Sequence, residues 1–400
     1  MPRPEKEVLF VSHKYPPATG GMEKQSYELI NGATLYIKVH TLIYDPKEPI
    51  IRFFRKLNSR ILQKLQKHPQ IGLIHFNDGL IAALATYHKG YAHLRKVVTL
   101  HGLDVVFPWT YFQKKILPRF NAFDKIIAVS DATAHAAFER GIAKEKLIVI
   151  NNGVDQYIVH KSVAPMASLY AQYPVLRHSK NYFITLGRPV KRKGFSWLLE
   201  EVIPALEGDF QLLMVGPFDR KAAWREKVLS LLPQRWYRLI TLFLGFPTDQ
   251  RDIRKQLKRL EHRATHLGKV PFEDLQILLH HATAFLMPNI PVKGDMEGFG
   301  LVCLEASLSG TLVVASELEG ITNAIHQHIN GILLPTQHSE TWIAQLQAII
   351  QSPEHHRQLG KQYQQKTLEL FSWDKMCREY VQLFEGILAD SPCGRNDGVG

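Results

Sequence analysis

Short apolar runs rich in β-branched residues alternate with amphipathic stretches of helical length along most of the chain. This alternation restricts the fold more than any other feature. Val8–Ser12, Leu35–Ile43, Ile71–Phe76, Val97–His101, Lys125–Ser130 and Leu147–Ile150 read as strands, and Glu23–Gly32, Ile50–His68 and Asp131–Arg140 between them have helical spacing. Strands that are apolar on both faces and separated by helices belong to a parallel sheet covered on both sides. The pattern pauses over residues 156–180, rich in Pro, Ser and Tyr, and then resumes. Tyr182–Gly187, Phe210–Gly216, Thr283–Pro288, Leu312–Ala315 and Gly331–Leu334 are the strands of a second sheet. Trp224 to Arg238 reads as a helix, and Asp249–His262 as a basic, mostly solvated one.

Four hundred residues suit two domains of ordinary size, 45% apolar and 22% charged. The expected division is an α/β domain over 1–165, a second over 166–371, a helix at 372–388 with Ser372 as its N-cap, and a disordered tail at 389–400. Two doubly wound, Rossmann-like parallel sheets facing each other would gather their C-terminal strand ends around one cleft, where such folds bind ligands. No run approaches eighteen apolar residues, and the N-terminus lacks a signal peptide's apolar core. Cys303, Cys377 and Cys393 are an odd number without metal spacing, which predicts free thiols in a reducing, cytoplasmic compartment.

Three clusters carry chemistry. In Ser12-His13-Lys14-Tyr15-Pro16-Pro17-Ala18-Thr19-Gly20-Gly21-Met22-Glu23, two glycines sit at a helix entrance. They either admit an anion to the helix N-terminus or supply a turn at positive φ. In Gly187-Arg188-Pro189-Val190-Lys191-Arg192-Lys193-Gly194, Arg188 and Lys193 flank a strand end. They form either a diphosphate clamp or a solvated basic turn. The third runs Asp295-Met296-Glu297-Gly298-Phe299-Gly300-Leu301-Val302-Cys303-Leu304-Glu305-Ala306, with Gly298 and Gly300 opening an apolar helix that embeds Glu305. Eight residues of helix span roughly 12 Å, so Glu297 and Glu305 could hold two parts of one hydroxyl-rich ligand. Alternatively, Glu305 is a structural carboxylate bonded to backbone.

In this order, with Leu100-His101-Gly102-Leu103-Asp104 and Asn152-Gly153-Val154-Asp155 between the first and second clusters, these motifs resemble the family 4 glycosyltransferases. Those are retaining, nucleotide-sugar-dependent enzymes of the GT-B fold, and the resemblance runs from residue 7 to about 388. It implies that Gly20 and Gly21 approach the diphosphate and donor sugar, that Arg188 and Lys193 hold the diphosphate, and that Glu305 holds the ribose. Glu297 would meet the sugar hydroxyls within Glu297-Gly298-Phe299-Gly300, and His101 would lie beside the anomeric carbon. Asn151 departs from the family's usual Pro, and Val215-Gly216-Pro217-Phe218 lacks its second glycine.

Many transferases neutralise the leaving diphosphate with a metal on an Asp-x-Asp pair, and none occurs here. Arg188 and Lys193 would replace the metal, so no metal and no cofactor is expected. Of nineteen histidines, His262 and His266, His280 and His281, His326 and His328, and His355 and His356 lie close in sequence. None repeats a known metal site, and solvated or capping roles are expected of them. The net charge of +12 is concentrated in residues 1–160, with 22 basic against 13 acidic residues. Ile50–His68 carries six basic residues beside an apolar stripe of Ile50, Phe54, Leu57, Ile61 and Leu65. It is either an anionic-membrane contact or a core-packing helix with a solvated face. The resulting expectation is a peripheral enzyme at the inner membrane face, taking a nucleotide-sugar donor and a lipid-linked or cell-envelope glycan acceptor. The rivals are a soluble transferase with a small acceptor, a catalytically silent sugar-nucleotide-binding subunit and, weakest, a nucleic-acid binder, for which no recognition motif accompanies the charge.

Overall fold

The computed structural model describes residues 7–18, 20–156, 163–177, 181–218 and 248–390. The chain divides into two compact units, one of Met1–Val105, Thr110–Gly153 and Trp373–Gly400, the other of Val106–Trp109 and Val154–Ser372. The division falls at Gly153, ahead of the break expected at 165.

The first unit is built on a six-stranded parallel sheet in the order β2-β1-β3-β4-β5-β6. Its strands are β1 (Glu7–Ser12), β2 (Val39–Ile43), β3 (Ile71–Phe76), β4 (Arg95–Leu100), β5 (Lys125–Ala128) and β6 (Leu147–Val149). The helices α1 (Gly21–Ala33), α2 (Ile50–Lys67), α3 (Gly79–Ala85) and α4 (Asp131–Phe138) connect them. β1 is buried along its whole length, as a central parallel strand must be. The expected strand at Leu35–Ile43 is confined to β2, because Leu35 and Tyr36 are exposed in the turn that leaves α1.

The C-terminal helix Trp373–Ala389 packs on α1 and belongs to this unit. A Cβ on Gly32 would stand 2.4 Å from Cys377 Sγ, so the two helices approach this closely only with glycine there. The helix brings Phe384 edge-on to Phe10, and its Tyr380 hydroxyl lies 3.0 Å from Thr99 Oγ1.

The second unit repeats the plan with strand order β12-β11-β10-β7-β8-β9. Its strands are β7 (Tyr182–Leu186), β8 (Gln211–Val215), β9 (Ala264–Gly268), β10 (Ala284–Met287), β11 (Leu312–Ser316) and β12 (Ile332–Leu334). Helices α5 (Gln250–Arg259), α6 (Phe272–His281), α7 (Leu301–Leu308), α8 (Ser339–Gln351) and α9 (Pro353–Leu370) cover it. Its core joins Phe183, Leu212, Leu286 and Val314 of the sheet to Leu198, Trp342 and Leu346. β9 escapes a sequence reading because Ala-Thr-His-Leu-Gly at a sheet edge has little apolar content. The helix expected at Asp249–His262 is shorter, and it is not simply solvated: Asp249, Gln250, Ile253 and Gln256 are buried. The helix expected from Trp224 to Arg238 and nearly all of the 389–400 tail lie outside the described residues. Among the described residues no helix is long and apolar enough to cross a membrane.

Candidate active site

In the first unit, the C-terminal ends of β1, β3 and β4 present His13, Asn77, Asp78 and His101. Asp78 caps α3, accepting from Leu80 N–H at 2.9 Å and Ile81 N–H at 3.0 Å through Oδ1. Its other oxygen meets His13 Nδ1 at 2.8 Å. Burial alone would raise the Asp78 pKa, but His13 and these backbone donors pull it below the ordinary carboxylate value. His101 Nε2 lies 2.8 Å from the Asn77 carbonyl oxygen, a contact that makes Nε2 the donor and leaves Nδ1 as acceptor in the neutral ring. Asp104 accepts from His101 N–H at 2.9 Å and from Gly79 N–H at 3.0 Å, and burial raises its pKa. The two loops are thereby fastened to each other.

Behind this edge lies a buried polar network. Asn77 Nδ2 donates to Gln25 Oε1 at 2.9 Å, His75 Nε2 meets Thr99 Oγ1 at 2.8 Å, and Thr99 meets Tyr380. Burial lowers the His75 pKa to about 3, so the ring is neutral.

The Gly-Gly turn differs from its expected geometry. Gly20 is extended, at φ 165 and ψ 168, and Gly21 already begins α1, so neither is there for a left-handed conformation. A Cβ on Gly20 would lie 2.3 Å from Glu23 Oε2. The Glu23 carboxylate thus folds back over the helix entrance, with Lys14 Nζ 3.6 Å away.

In the second unit, the basic turn after β7 faces the loop after β10. Lys193 and Glu297 meet at 2.8 Å and Arg192 Nη1 and Glu297 at 2.5 Å, while Arg192 Nε donates to Asp295 at 3.1 Å. Asn289 Nδ2 adds a contact to Glu297 at 3.2 Å. Burial pushes the Glu297 carboxyl up, but Arg192 and Lys193 outweigh it and bring it down to about 2. Burial lowers the Lys193 pKa, and Glu297 opposes that fall. From the end of β11, Glu319 accepts the Glu297 N–H at 2.6 Å, and burial raises its carboxyl to about 7.

The turn is held from below by Asp249. It accepts from Ser196 N–H at 2.9 Å and from Ser196 Oγ at 2.7 Å, with Lys191 Nζ 3.3 Å away. Gly194 is left-handed at φ 65, and a Cβ there would meet the Pro288 carbonyl oxygen at 1.9 Å, so only glycine lets β7's turn sit against β10's.

Lys193, Glu297, Gly298 and Gly300 are therefore brought together in the second unit, with Arg192, Asn289 and Glu319, which the sequence reading missed. Arg192 could have been found from its place in the same basic run. Glu319 could have been found as a carboxylate just past a strand end. Arg188 is exposed and has no ion-pair partner among the described residues. The Phe299 ring is buried near Phe371, so only its backbone can face a ligand. Glu297 lies in the loop after Pro288, as expected, but the helix α7 begins only at Leu301, so the helical span drawn from Glu297 to Glu305 does not hold. Glu305 itself is half-buried on α7 rather than embedded. His101, Gly20 and Gly21 belong to the first unit, with His13, Asp78 and Asp104 as neighbours that sequence reasoning passed over. His13 and Asp78 are 65 residues apart, and only their shared position at strand ends links them.

Residues 6–156 match the family described as Glycosyltransferase Family 4, and residues 171–366 match Glycosyl transferases group 1. Alpha-maltose-1-phosphate synthase of Mycolicibacterium smegmatis is 23% identical over 329 residues, covering 78% of this chain and 77% of that protein. Among solved structures, sucrose-phosphate synthase from Thermosynechococcus elongatus is similar with a TM-score of 0.71 at 22% identity, over 96% of this chain and 100% of that one. Anabaena HepE in complex with UDP and glucose has a TM-score of 0.70 at 18% identity, over 96% of this chain and 100% of that one. The two family matches fall on the two units in turn, and the shared fold spans both, so the chain is a glycosyltransferase of family 4 with the GT-B fold.

Proposed function

We propose that this glycosyltransferase takes a nucleotide-sugar donor and transfers its sugar with retention of anomeric configuration and without a metal. The observation that carries the reading is the largely buried pair of cations, Arg192 and Lys193, which share the carboxylate of Glu297 at a strand-end turn, Arg192 also meeting Asp295. A departing diphosphate gains negative charge as the sugar bond breaks, and cations already in place stabilise it without reorganising. Lys193 and the exposed Arg188 would take the diphosphate, and Glu297, released from Lys193, would accept from sugar hydroxyls. Glu305 would accept from the ribose. The UDP bound by the structurally similar HepE supports a nucleoside diphosphate as the leaving group. For the first unit, the family resemblance implies that His101 and the Gly20–Gly21 turn contact the donor sugar and its diphosphate.

The acceptor we favour is a lipid-linked or cell-envelope glycan reached from an anionic membrane surface. The exposed Arg52, Arg55, Lys56 and Lys67 on α2 support it. A second reading, a small soluble acceptor, draws on the other face of α2. Of the expected stripe, Leu57 and Ile61 are fully buried, as is Phe53, so the core already uses that part of it, while Phe54 and Leu65 are half-buried and Ile50 is exposed. The names of the maltose-1-phosphate and sucrose-phosphate synthases also point to small sugar phosphates as products.

The test is a thermal-shift screen of nucleotide sugars followed by turnover in EDTA. A matching donor should raise the melting temperature by mass action, and Glu305→Ala should lose that rise without melting earlier itself. The product's anomeric configuration, read by NMR, should equal the donor's. Inversion, loss of turnover in chelator, or donor binding intact in Glu305→Ala would each overturn the corresponding assignment. Binding with no turnover on any acceptor would mark a silent subunit.

A further inference from the structure

At the N-terminal ends of the first unit's strands, opposite the edge that carries His13 and His101, three side chains from three elements converge. They are Glu7 at the start of β1, His40 near the start of β2, and His68, which follows α2. Each offers one ligand atom, and these atoms lie within 4.8 Å of one another. His40 Nε2 is 2.5 Å from Glu7 Oε2, and the two imidazole rings lie 4.0 Å apart, tilted by 30°. The Glu7 side chain is only 6% exposed and that of His40 12%.

We propose that Glu7, His40 and His68 form a binding site for a divalent ion of the zinc class, which clips β2 and the end of α2 to β1. Two imidazoles and a carboxylate are a donor set for zinc, nickel or copper rather than for magnesium or calcium, which prefer all-oxygen shells. Zinc bonds of about 2.0–2.2 Å in a tetrahedron place ligand atoms roughly 3.3 Å apart. The Glu7–His40 contact therefore opens by less than ~1 Å and His68 closes by about 1.5 Å, movements within the reach of side-chain torsions at a helix end. Lys38 Nζ now sits 2.5 Å from Glu7 Oε1, and its side chain is 66% exposed. It supplies the positive charge that the ion would replace, and it can retreat into water. The fourth coordination position is left to solvent.

The position decides the role. β2 is an edge strand, pairs with β1, and none of its residues is fully buried. An ion tying it to β1 and to α2 stiffens one of the sheet's two margins. It lies at the wrong end of the strands to take part in sugar transfer, so the site is structural, and this inference stands apart from the metal-free chemistry proposed above. The sequence hides it, since His40 is 33 residues from Glu7 and neither resembles a metal motif.

The experiment uses the full, untagged chain, stripped with chelator and then titrated with Zn²⁺. One ion should bind per chain, raising the melting temperature, and Co²⁺ in its place should give the visible absorption of a tetrahedral site. His68→Gln and His40→Gln should each weaken Zn²⁺ binding at least tenfold and remove the melting shift. His68→Gln should do so while keeping its metal-free melting temperature and its turnover. Lys38→Met, which removes the competing cation, should bind Zn²⁺ at least as tightly as the natural chain. The proposal fails if Zn²⁺ does not raise the melting temperature of the natural chain. It also fails if His68→Gln retains the shift, which would place binding at other histidines.

Discussion

Glu297→Gln separates the charge of this carboxylate from its shape. The amide keeps the size and one acceptor oxygen, but it no longer balances Arg192 and Lys193, both largely buried. The carboxyl titrates at about 2 in the fold against an ordinary value of 4.5. At about 1.36 kcal/mol for each pH unit, its ionised form is worth about 3 kcal/mol to the folded state. The folded value is depressed, so this contribution is fully present above pH 4.5 and is lost as pH falls toward 2. Urea unfolding at pH 7 should show Glu297→Gln less stable than the natural chain by about 3 kcal/mol, in the range for breaking a buried pair. By pH 3 the gap should shrink to less than half, because below 4.5 the carboxyl of the unfolded chain is protonated while the folded one still carries its charge. A nucleoside diphosphate, bringing negative charge to Lys193, should also narrow the gap at pH 7. A gap that is constant from pH 7 to 3, or a variant as stable as the natural chain at pH 7, would refute the charge argument.

Glu319 carries the opposite sign: its carboxyl is raised by burial to about 7, so its stabilising protonated form is lost as pH rises from 4.5 through 7, and Glu319→Gln should gain about 1–3 kcal/mol over the natural chain at pH 8 and nothing at pH 4. Denaturant midpoints at both values check it. Gly32→Ala sets a helix-propensity gain of about 1 kcal/mol against a Cβ 2.4 Å from Cys377 Sγ, and overpacking at about 1–3 kcal/mol should win. Adding Cys377→Ala should recover the loss, and a more stable single variant would show the helices able to part. Replacing Arg52, Arg55 and Lys56 with Gln should abolish salt-sensitive sedimentation with anionic vesicles, at up to about 1 kcal/mol for each charge. Arg60 is omitted because Glu48 already holds it through both terminal nitrogens. A natural chain that ignores such vesicles at low salt leaves the soluble acceptor as the better reading.

Where the sequence reading failed, the failures have a physical pattern. It placed β1, β3, β7 and β11 within a residue or two because a strand buried on both faces must be apolar throughout. It missed β9 and overextended β2, both at sheet margins where burial imposes little on composition. Motifs with glycine beside a charge pointed to Lys193, Glu297 and His101, and all three lie at strand ends, with Lys193 and Glu297 paired. The sequence reading named Arg188 and Lys193 from the basic turn and passed over Arg192, whose guanidinium turns inward to Glu297 while Arg188 stays exposed. A turn's side chains all lie near a strand end, and which of them points inward depends on backbone torsions that spacing alone does not define.

The sequence by itself determined the two parallel sheets, their chain order and the short glycine-flanked segments that reach the strand ends, because periodicity and local turn chemistry act over a few residues. Tertiary structure decided what meets across distance. It joined Asp249 to the turn at Ser196, His13 to Asp78, Tyr380 to Thr99, and Glu7 to His40 and His68. Those pairings lie 33 to 281 residues apart. They arise because a parallel sheet must cross over between strands, setting distant strand ends side by side, and the charge, protonation and partner of each group follow from what it then touches.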